Sequence, residues 1–235
     1  MPPITSNADN ESLSVAAGQT ATEDGAPAVL IDNDGVSFAN RGTVSTTGDT
    51  ASVLVLGEDA QVFNARTGDI EAEGTGIGVE GSANIRNTGE ISGDVNGISF
   101  ENGGESSGRV FNAGTVSSDS RAVNIGGEDV RLINGGEIIG TGDQRNGTVY
   151  TDGTADNFLI NNNSDGTIDA GLGNQGAGLA LQIGDAPGDA VSGFVRNSGE
   201  ISGRGQAAAD TGLAGDGVRF LAGAEEVTFE GNIAN

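Results

Sequence analysis

The stretch Ile85-Arg86-Asn87-Thr88-Gly89-Glu90-Ile91 returns later in the chain as Val195-Arg196-Asn197-Ser198-Gly199-Glu200-Ile201. In both copies an apolar residue stands two places before an asparagine, and a glycine and a β-branched residue follow it. Five further copies of this pattern surround Asn40, Asn64, Asn112, Asn134 and Asn161. Successive asparagines are separated by 24, 23, 25, 22, 27 and 36 residues. Self-similarity at such a period predicts a solenoid, in which each repeat forms one turn.

A second apolar run lies between successive asparagine motifs and alternates with period two, as in Val53 and Val55 or Ile77 and Val79. This alternation is typical of a strand with one buried face. The sequence therefore predicts an all-β fold, a right-handed parallel β-helix (β-solenoid) of about eight rungs. Each rung has 22–36 residues and two or three short strands.

Stacking of the rungs aligns equivalent residues in columns, and a rung buries its apolar face only against its neighbours. We expect one interior column from the residue two places before each asparagine: Phe38, Val62, Ile85, Val110, Leu132, Leu159 and Val195. A second column follows the glycine of each motif: Val44, Ile70, Ile91, Val116, Ile138, Ile168 and Ile201.

The recurring asparagine is predicted to occupy a corner of each rung. There its side-chain amide can bond to the backbone or to the next asparagine of the stack. We interpret these asparagines as a structural ladder and not as ligands of a bound molecule: Asn40, Asn64, Asn87, Asn112, Asn134, Asn161 and Asn197.

The whole chain, residues 1–235, is predicted to form one solenoid domain. Residues 1–35 fit degenerate first rungs, residues 36–203 are regular, and residues 204–235 are loop-rich final rungs that end as if truncated. Open strand edges there favour end-to-end pairing, and hence a homo-oligomer or filament. The widened repeats carry glycine-rich insertions at 171–178, 184–193 and 203–217, which we expect to form a binding face. The alternative is that they are tolerated spacers with no partner, since long surface insertions cost little stability.

Charge narrows the range of partners. The formal net charge is −24, from 34 acidic residues against ten basic ones, all of them arginine. Such a surface disfavours nucleic acid and anionic membranes, whose recognition depends on cationic side chains. No apolar stretch is long enough to span a membrane. Regularly placed Val, Ile, Leu and Phe argue against disorder despite 42 glycines.

The residue types for common catalytic chemistry are largely missing, because the chain has no histidine, cysteine or lysine and only one tyrosine. A carboxylate pair for glycoside cleavage is the alternative that composition leaves open.

Asp32 and Asp34 lie at the start of a stretch that resembles a calcium-binding loop, but Thr43 stands where such a loop needs glutamate. Glu128 and Asp129 lie in a similarly acidic turn. These four residues are weak calcium candidates, and no other metal or cofactor is predicted.

The phrase at 85–93, Ile-Arg-Asn-Thr-Gly-Glu-Ile-Ser-Gly, and its copy at 195–203 resemble rungs of secreted bacterial β-helix proteins, such as autotransporter passengers and large repeat adhesins. The resemblance covers residues 36–203. It implies an extracellular or cell-surface location in a bacterium and a surface glycan or protein as ligand. We therefore expect a non-enzymatic structural or adhesive module, and the alternative is a polysaccharide-processing β-helix enzyme with a carboxylate site.

Overall fold

The computed structural model describes residues 2–104, 106–141, 147–170, 177–183, 190–203, 217–222 and 228–234. All regular secondary structure in these residues is β-strand. In chain order the strands are β1 (Ile4–Thr5), β2 (Ser12–Val15), β3 (Thr20–Asp24), β4 (Val29–Ile31), β5 (Ser37–Asn40), β6 (Thr43–Thr47), β7 (Ala51–Val55), β8 (Ala60–Asn64), β9 (Asp69–Ala72), β10 (Thr75–Val79), β11 (Ser82–Asn87), β12 (Glu90–Gly93), β13 (Asn96–Gly104), β14 (Ser107–Asn112), β15 (Thr115–Ser118), β16 (Arg121–Gly127), β17 (Arg131–Asn134), β18 (Glu137–Gly140), β19 (Val149–Thr151), β20 (Phe158–Asn162), β21 (Thr167–Asp169), β22 (Leu179–Ile183), β23 (Ala190–Asn197), β24 (Glu200–Ser202), β25 (Val218–Ala222) and β26 (Thr228–Ala234).

Every third strand belongs to the same parallel sheet. Sheet A runs from β1 through β4 and β7 to β25, sheet B from β2 through β5 and β8 to β26, and sheet C from β3 through β6 and β9 to β24. Within the described residues sheets A, B and C contain nine, nine and eight strands. Each turn contributes one strand to each sheet, and the sequence predicted about eight rungs. The predicted parallel β-solenoid is therefore confirmed, while its right-handed sense of coiling stays a prediction.

The strands form because buried and exposed residues alternate along them. In β11, Ala83, Ile85 and Asn87 are buried, whereas Asn84 and Arg86 between them are exposed. Successive side chains of a strand point to opposite faces, so this alternation separates the interior of the solenoid from its outer surface. The same alternation continues from turn to turn, since each strand pairs in register with the equivalent strand of its neighbours.

The two expected apolar columns lie in the interior. Ile85 pairs with Val62 and Val110 across sheet B, and Ile91 pairs with Ile70 and Val116 across sheet C. One residue of the first column was predicted wrongly. Its member in β20 is the fully buried Ile160, which pairs with Leu132, whereas Leu159 lies on the outer face.

The glycine that follows each asparagine is required by the closeness of adjacent turns. A Cβ atom at Gly89 would lie 2.2 Å from the backbone oxygens of Ala65 and Gly68, and one at Gly114 would lie 2.2 Å from the oxygen of Gly89. Any larger residue would push two turns apart and break the hydrogen bonds between them. The glycine of the motif is therefore a packing requirement at the corner between sheets B and C.

The outward positions of sheet A are covered along part of the solenoid. Ser99, Asn124, Tyr150 and Ala180 occupy successive outward positions of this sheet, and all four are buried. The guanidinium of Arg121 lies 4.1 Å from the centroid of the Tyr150 ring. In this part of the molecule the outer faces of sheets B and C are the ones left open to a partner. Within the described residues, no helix has the length and apolar character needed to cross a bilayer.

Candidate binding surface

The asparagine ladder runs along the corner between sheets B and C. Each asparagine ends a strand of sheet B, and its Nδ2 atom donates a hydrogen bond of 2.8–2.9 Å to Oδ1 of the next asparagine. The same Nδ2 atom also donates to a backbone oxygen of sheet C in the following turn, as Asn87 does to Thr115 at 3.0 Å. The ladder consists of Asn40, Asn64, Asn87, Asn112, Asn134, Asn162 and Asn197. These amides are used in holding turns together.

In the sixth of these positions the structure places Asn162, and the prediction of Asn161 was wrong. Asn162 is fully buried and bonds to Asn134 and Asn197, whereas Asn161 lies outward and donates to Asn163. Three consecutive asparagines, 161–163, concealed the register. The spacing to the following glycine resolves it, because that spacing is two or four residues in every other copy, and Asn162 to Gly166 is four.

The calcium candidates occupy turns between sheets A and B, where three of their carboxylates tie neighbouring turns together. Asp32 accepts a bond of 2.7 Å from the Ser6 hydroxyl, Asp34 accepts from the Glu58 backbone N–H at 2.8 Å, and Asp129 accepts from the Asn157 amide. Glu128 is exposed. Asp32 and Asp34 precede β5, and Glu128 and Asp129 precede β17. The two pairs are four turns apart, which is about 19 Å at the spacing of parallel strands. The structure does not bring the pairs together. The part of the chain that the structure describes has no group of three or more His, Cys, Asp or Glu residues able to hold a metal. Calcium binding stays a prediction.

The predicted binding insertions lie mainly outside the described residues. Residues 171–176, 184–189 and 204–216 are among those that the structure does not describe. The outer faces of sheets B and C are described over most of their strands.

The outer face of sheet C is acidic. Its strands contain eight Asp or Glu residues and no arginine, and Thr and Ser fill most of the remaining outward positions. We call the outward carboxylates of the turns from β9 onward the acidic face: Asp69, Glu71, Glu90, Glu137, Asp169 and Glu200. Asp69 sits in the most crowded part, on one strand with Glu71 and paired with Glu90 of the next. Burial, followed by repulsion from Glu71 and Glu90, raises the pKa of Asp69 above its ordinary value of 3.8.

We expect Asp69→Asn to stabilise the protein at neutral pH. A carboxyl whose pKa is higher in the folded protein holds its proton more tightly when folded, so its ionisation penalises the folded state. The penalty is absent below the unfolded pKa near 3.8 and complete above the raised folded pKa. Thermal melts should therefore give an increase in Tm of a few degrees at neutral pH, and this increase should shrink as the pH falls towards 3.8.

Asp94→Asn is the matched control for this stability measurement. Asp94 is an exposed carboxylate just after β12, so its substitution removes the same unit of charge from the same side of the molecule. Making the net charge of −24 less negative should by itself raise the stability of both variants equally. Equal gains at every pH would show that the position of Asp69 has no special cost.

The outer face of sheet B has the opposite charge. From β2 to β23 its strands contain four arginines and no acidic residue, although the chain as a whole carries −24. We call the outward residues of this sheet the arginine face. One row consists of Gln61, Asn84, Arg109, Arg131, Leu159 and Phe194, and the other of Phe63, Arg86, Phe111, Ile133, Asn161 and Arg196. The four arginines are exposed, and Phe111 and Phe194 have exposed fractions of 39% and 51%.

Reasoning from sequence missed the arginine face, although a signal for it was present. The outward residues of sheet B stand one and three places before each ladder asparagine, so the two rows can be read from the motif alone. Sorting charges by these positions would have separated Arg86, Arg109, Arg131 and Arg196 from the acidic majority. The net charge of the whole chain conceals this asymmetry.

Comparison of the chain with protein-family models, with curated proteins and with solved structures finds no significant match.

Proposed function

We propose that this chain is a non-enzymatic structural and adhesive module, located outside a bacterial cell or on its surface. The observation that carries the proposal is that two open faces present outward side chains in rows with one position per turn. Rows at the constant spacing of parallel strands are suited to many weak contacts with an extended partner. A surface glycan or a surface protein is the partner that we propose.

The interior supports this proposal because it favours a rod that resists deformation. Hydrogen bonds between neighbouring strands of each sheet, together with the asparagine ladder, join each turn to the next, and fully buried Val, Ile and Phe fill the space between the sheets. A side chain on such a scaffold keeps its position relative to its neighbours in the row. A partner that bridges several turns therefore binds a surface that needs little ordering, which lowers the entropic cost of binding.

Adhesion is tested with beads that carry the full chain, allowed to settle on layers of intact bacterial cells and then exposed to rising flow. We expect beads with the folded protein to remain at flow rates that remove beads with the Ile91→Asp variant, whose fold we expect to be lost. Equal detachment of the two bead types would overturn the adhesive role.

External protease added to intact cells that express the chain tests its location. Cleavage is expected, and complete protection would overturn a surface position.

The polysaccharide-processing alternative is favoured by one observation, the raised pKa of Asp69 next to Glu90. A carboxyl whose pKa is raised by burial and by neighbouring carboxyls is a feature of the general acid in glycoside cleavage. Release of reducing ends from acidic polysaccharides, lost in Asp69→Asn, would support this enzyme function over the module.

End-to-end assembly through strand edges stays a prediction that electron microscopy at rising protein concentration checks.

A further inference from the structure

We propose that the arginine face of one copy binds the acidic face of a second copy, so that solenoids pack side by side. The two surfaces lie on different sheets of the same molecule, and their charges are opposite. The interaction is lateral and uses side chains. It is thus distinct from end-to-end pairing, which uses backbone groups at the last turns.

The cationic half of the contact is concentrated on three successive turns. Arg86, Arg109 and Arg131 belong to β11, β14 and β17, which are neighbours in sheet B, and all three are exposed. The described strands around them contribute no acidic side chain to this face. An arginine guanidinium offers a planar set of N–H donors that fits a carboxylate, so this surface is suited to a carboxylate-bearing partner.

Aromatic rings hold one of these arginines in position and add apolar contact area. The guanidinium of Arg86 lies 5.9 Å from the ring centroids of both Phe63 and Phe111, its neighbours in the same row. Gln61 and Asn84 border a shallow groove beside Phe63 and Arg86. A guanidinium restrained between two rings loses less freedom on binding than a free one, and the exposed part of Phe111 is removed from water in the contact.

The acidic face matches this surface in both charge and spacing. Asp69 and Glu90 are on adjacent turns, and Glu137 follows two turns after Glu90. Both faces are built from the same turns, so their outward positions repeat at the same spacing of about 4.8 Å along the solenoid. A shift by a whole number of turns therefore brings arginines opposite carboxylates. Burial is the main cause of the raised pKa of Asp69, and repulsion from Glu71 and Glu90 adds to it; this repulsion is relieved when a cationic group approaches.

The contact joins two different surfaces, so a pair of copies still has one arginine face and one acidic face free. Such a heterologous contact adds further copies in a row, which ends only where the rotation between copies closes a ring. The net charge of −24 opposes association at low salt, where repulsion extends over about 30 Å at 0.01 M. Near 0.15 M the range falls to about 8 Å, which screens distant charges more than contacting pairs, and at about 1 M the pairs are weakened too. Association should therefore be strongest at intermediate salt.

The test is sedimentation velocity of the full chain at rising protein concentration and at these three salt levels. The face variant Arg86→Glu/Arg109→Glu and the control Arg41→Glu/Arg66→Glu each change the net charge from −24 to −28, since every substitution adds −2. Arg41 and Arg66 are exposed in turns after sheet B. We expect the parent and the control to associate near 0.15 M salt, and the face variant to lose at least about tenfold in association constant.

A charge exchange completes the test. Glu90→Arg/Glu137→Arg should show a similar loss of association, because both of its faces then carry arginine. An equimolar mixture of this variant with Arg86→Glu/Arg109→Glu restores opposite charges between unlike copies and should associate like the parent. Circular dichroism identifies any variant that fails to fold, and the recovery in the mixture does not depend on either variant alone.

Three outcomes would overturn the proposal. The parent could remain monomeric at all three salt levels, the face variant could associate as the parent does, or the mixture could stay monomeric. A further arm adds beads that carry polygalacturonate. Retention of the parent by these beads, without self-association, would assign the arginine face to an acidic glycan. The proposal stands apart from adhesion to cells, which the bead assay under flow measures independently.

Discussion

The substitution Ile91→Asp is expected to abolish cooperative folding. Ile91 is fully buried in sheet C, pairs with Ile70 and Val116, and packs so closely on β10 of sheet A that a Cβ at Gly76 would lie 2.9 Å from its Cγ2 atom. A carboxylate there has no partner and no access to water. Its burial costs several kcal/mol, a large part of a total stability of about 5–15 kcal/mol. Thermal and denaturant melts followed by circular dichroism measure the effect.

Ile139→Asp is the matched control for this experiment. Ile139 lies in β18, immediately after the buried Ile138 of the same column as Ile91, but it occupies an outward position that is only partly buried. The same chemical change there should cost no more than about 1 kcal/mol, the range of strand preferences at surface positions. A cooperative melt of Ile91→Asp close to that of the parent would contradict the interior column.

The substitution Asn87→Ala is expected to produce the second largest loss of stability. The Asn87 side chain makes four hydrogen bonds: it donates to Asn112 and Thr115 and accepts from Asn64 and the Gly89 N–H, at 2.9–3.1 Å. Alanine removes all four and leaves buried polar groups of two neighbouring turns without this partner. We expect a loss of about 2–4 kcal/mol, and a fall in Tm of about 5–15 °C.

Asn84→Ala provides the comparison within the same strand. Asn84 is exposed on the outer face, three residues before Asn87, so the same change in strand preference occurs without disturbing the ladder. It should alter stability by less than about 0.5 kcal/mol. If both variants lost equal stability, strand preference would explain the effect and the ladder would not.

The fold could be predicted from sequence because burial constrains both the alternation along each strand and the repeat from turn to turn. Apolar residues recur at the positions of Ile85 and Ile91, since each must contact its equivalents in the neighbouring turns. The asparagine and the glycine recur because the corner has little space for other residues. The error at Asn161 arose where three asparagines in succession fit the same pattern. There the spacing to the following glycine, which the close approach of turns fixes, is the more reliable guide.

The arginine face was harder to predict because its residues are exposed and burial does not constrain them. Outward residues such as Arg109 and Phe111 contact solvent, so no packing requirement forces them to repeat, and their pattern is irregular from turn to turn. Their significance depends on which residues share a face, and hence on the register of the strands. The raised pKa of Asp69 is caused by burial and then by Glu71 and Glu90, and Glu90 is adjacent only through the pairing of β9 with β12.

The asparagine ladder also gives the solenoid a direction. Each Nδ2 atom donates to the asparagine that follows in the chain, so the amide dipoles from Asn40 to Asn197 all align head to tail. Aligned peptide dipoles sum in this way along an α-helix and leave opposite partial charges at its two ends, and hydrogen bonds in such a chain polarise one another. Two solenoids side by side therefore differ in electrostatic energy between parallel and antiparallel orientations, and opposed dipoles favour the antiparallel one.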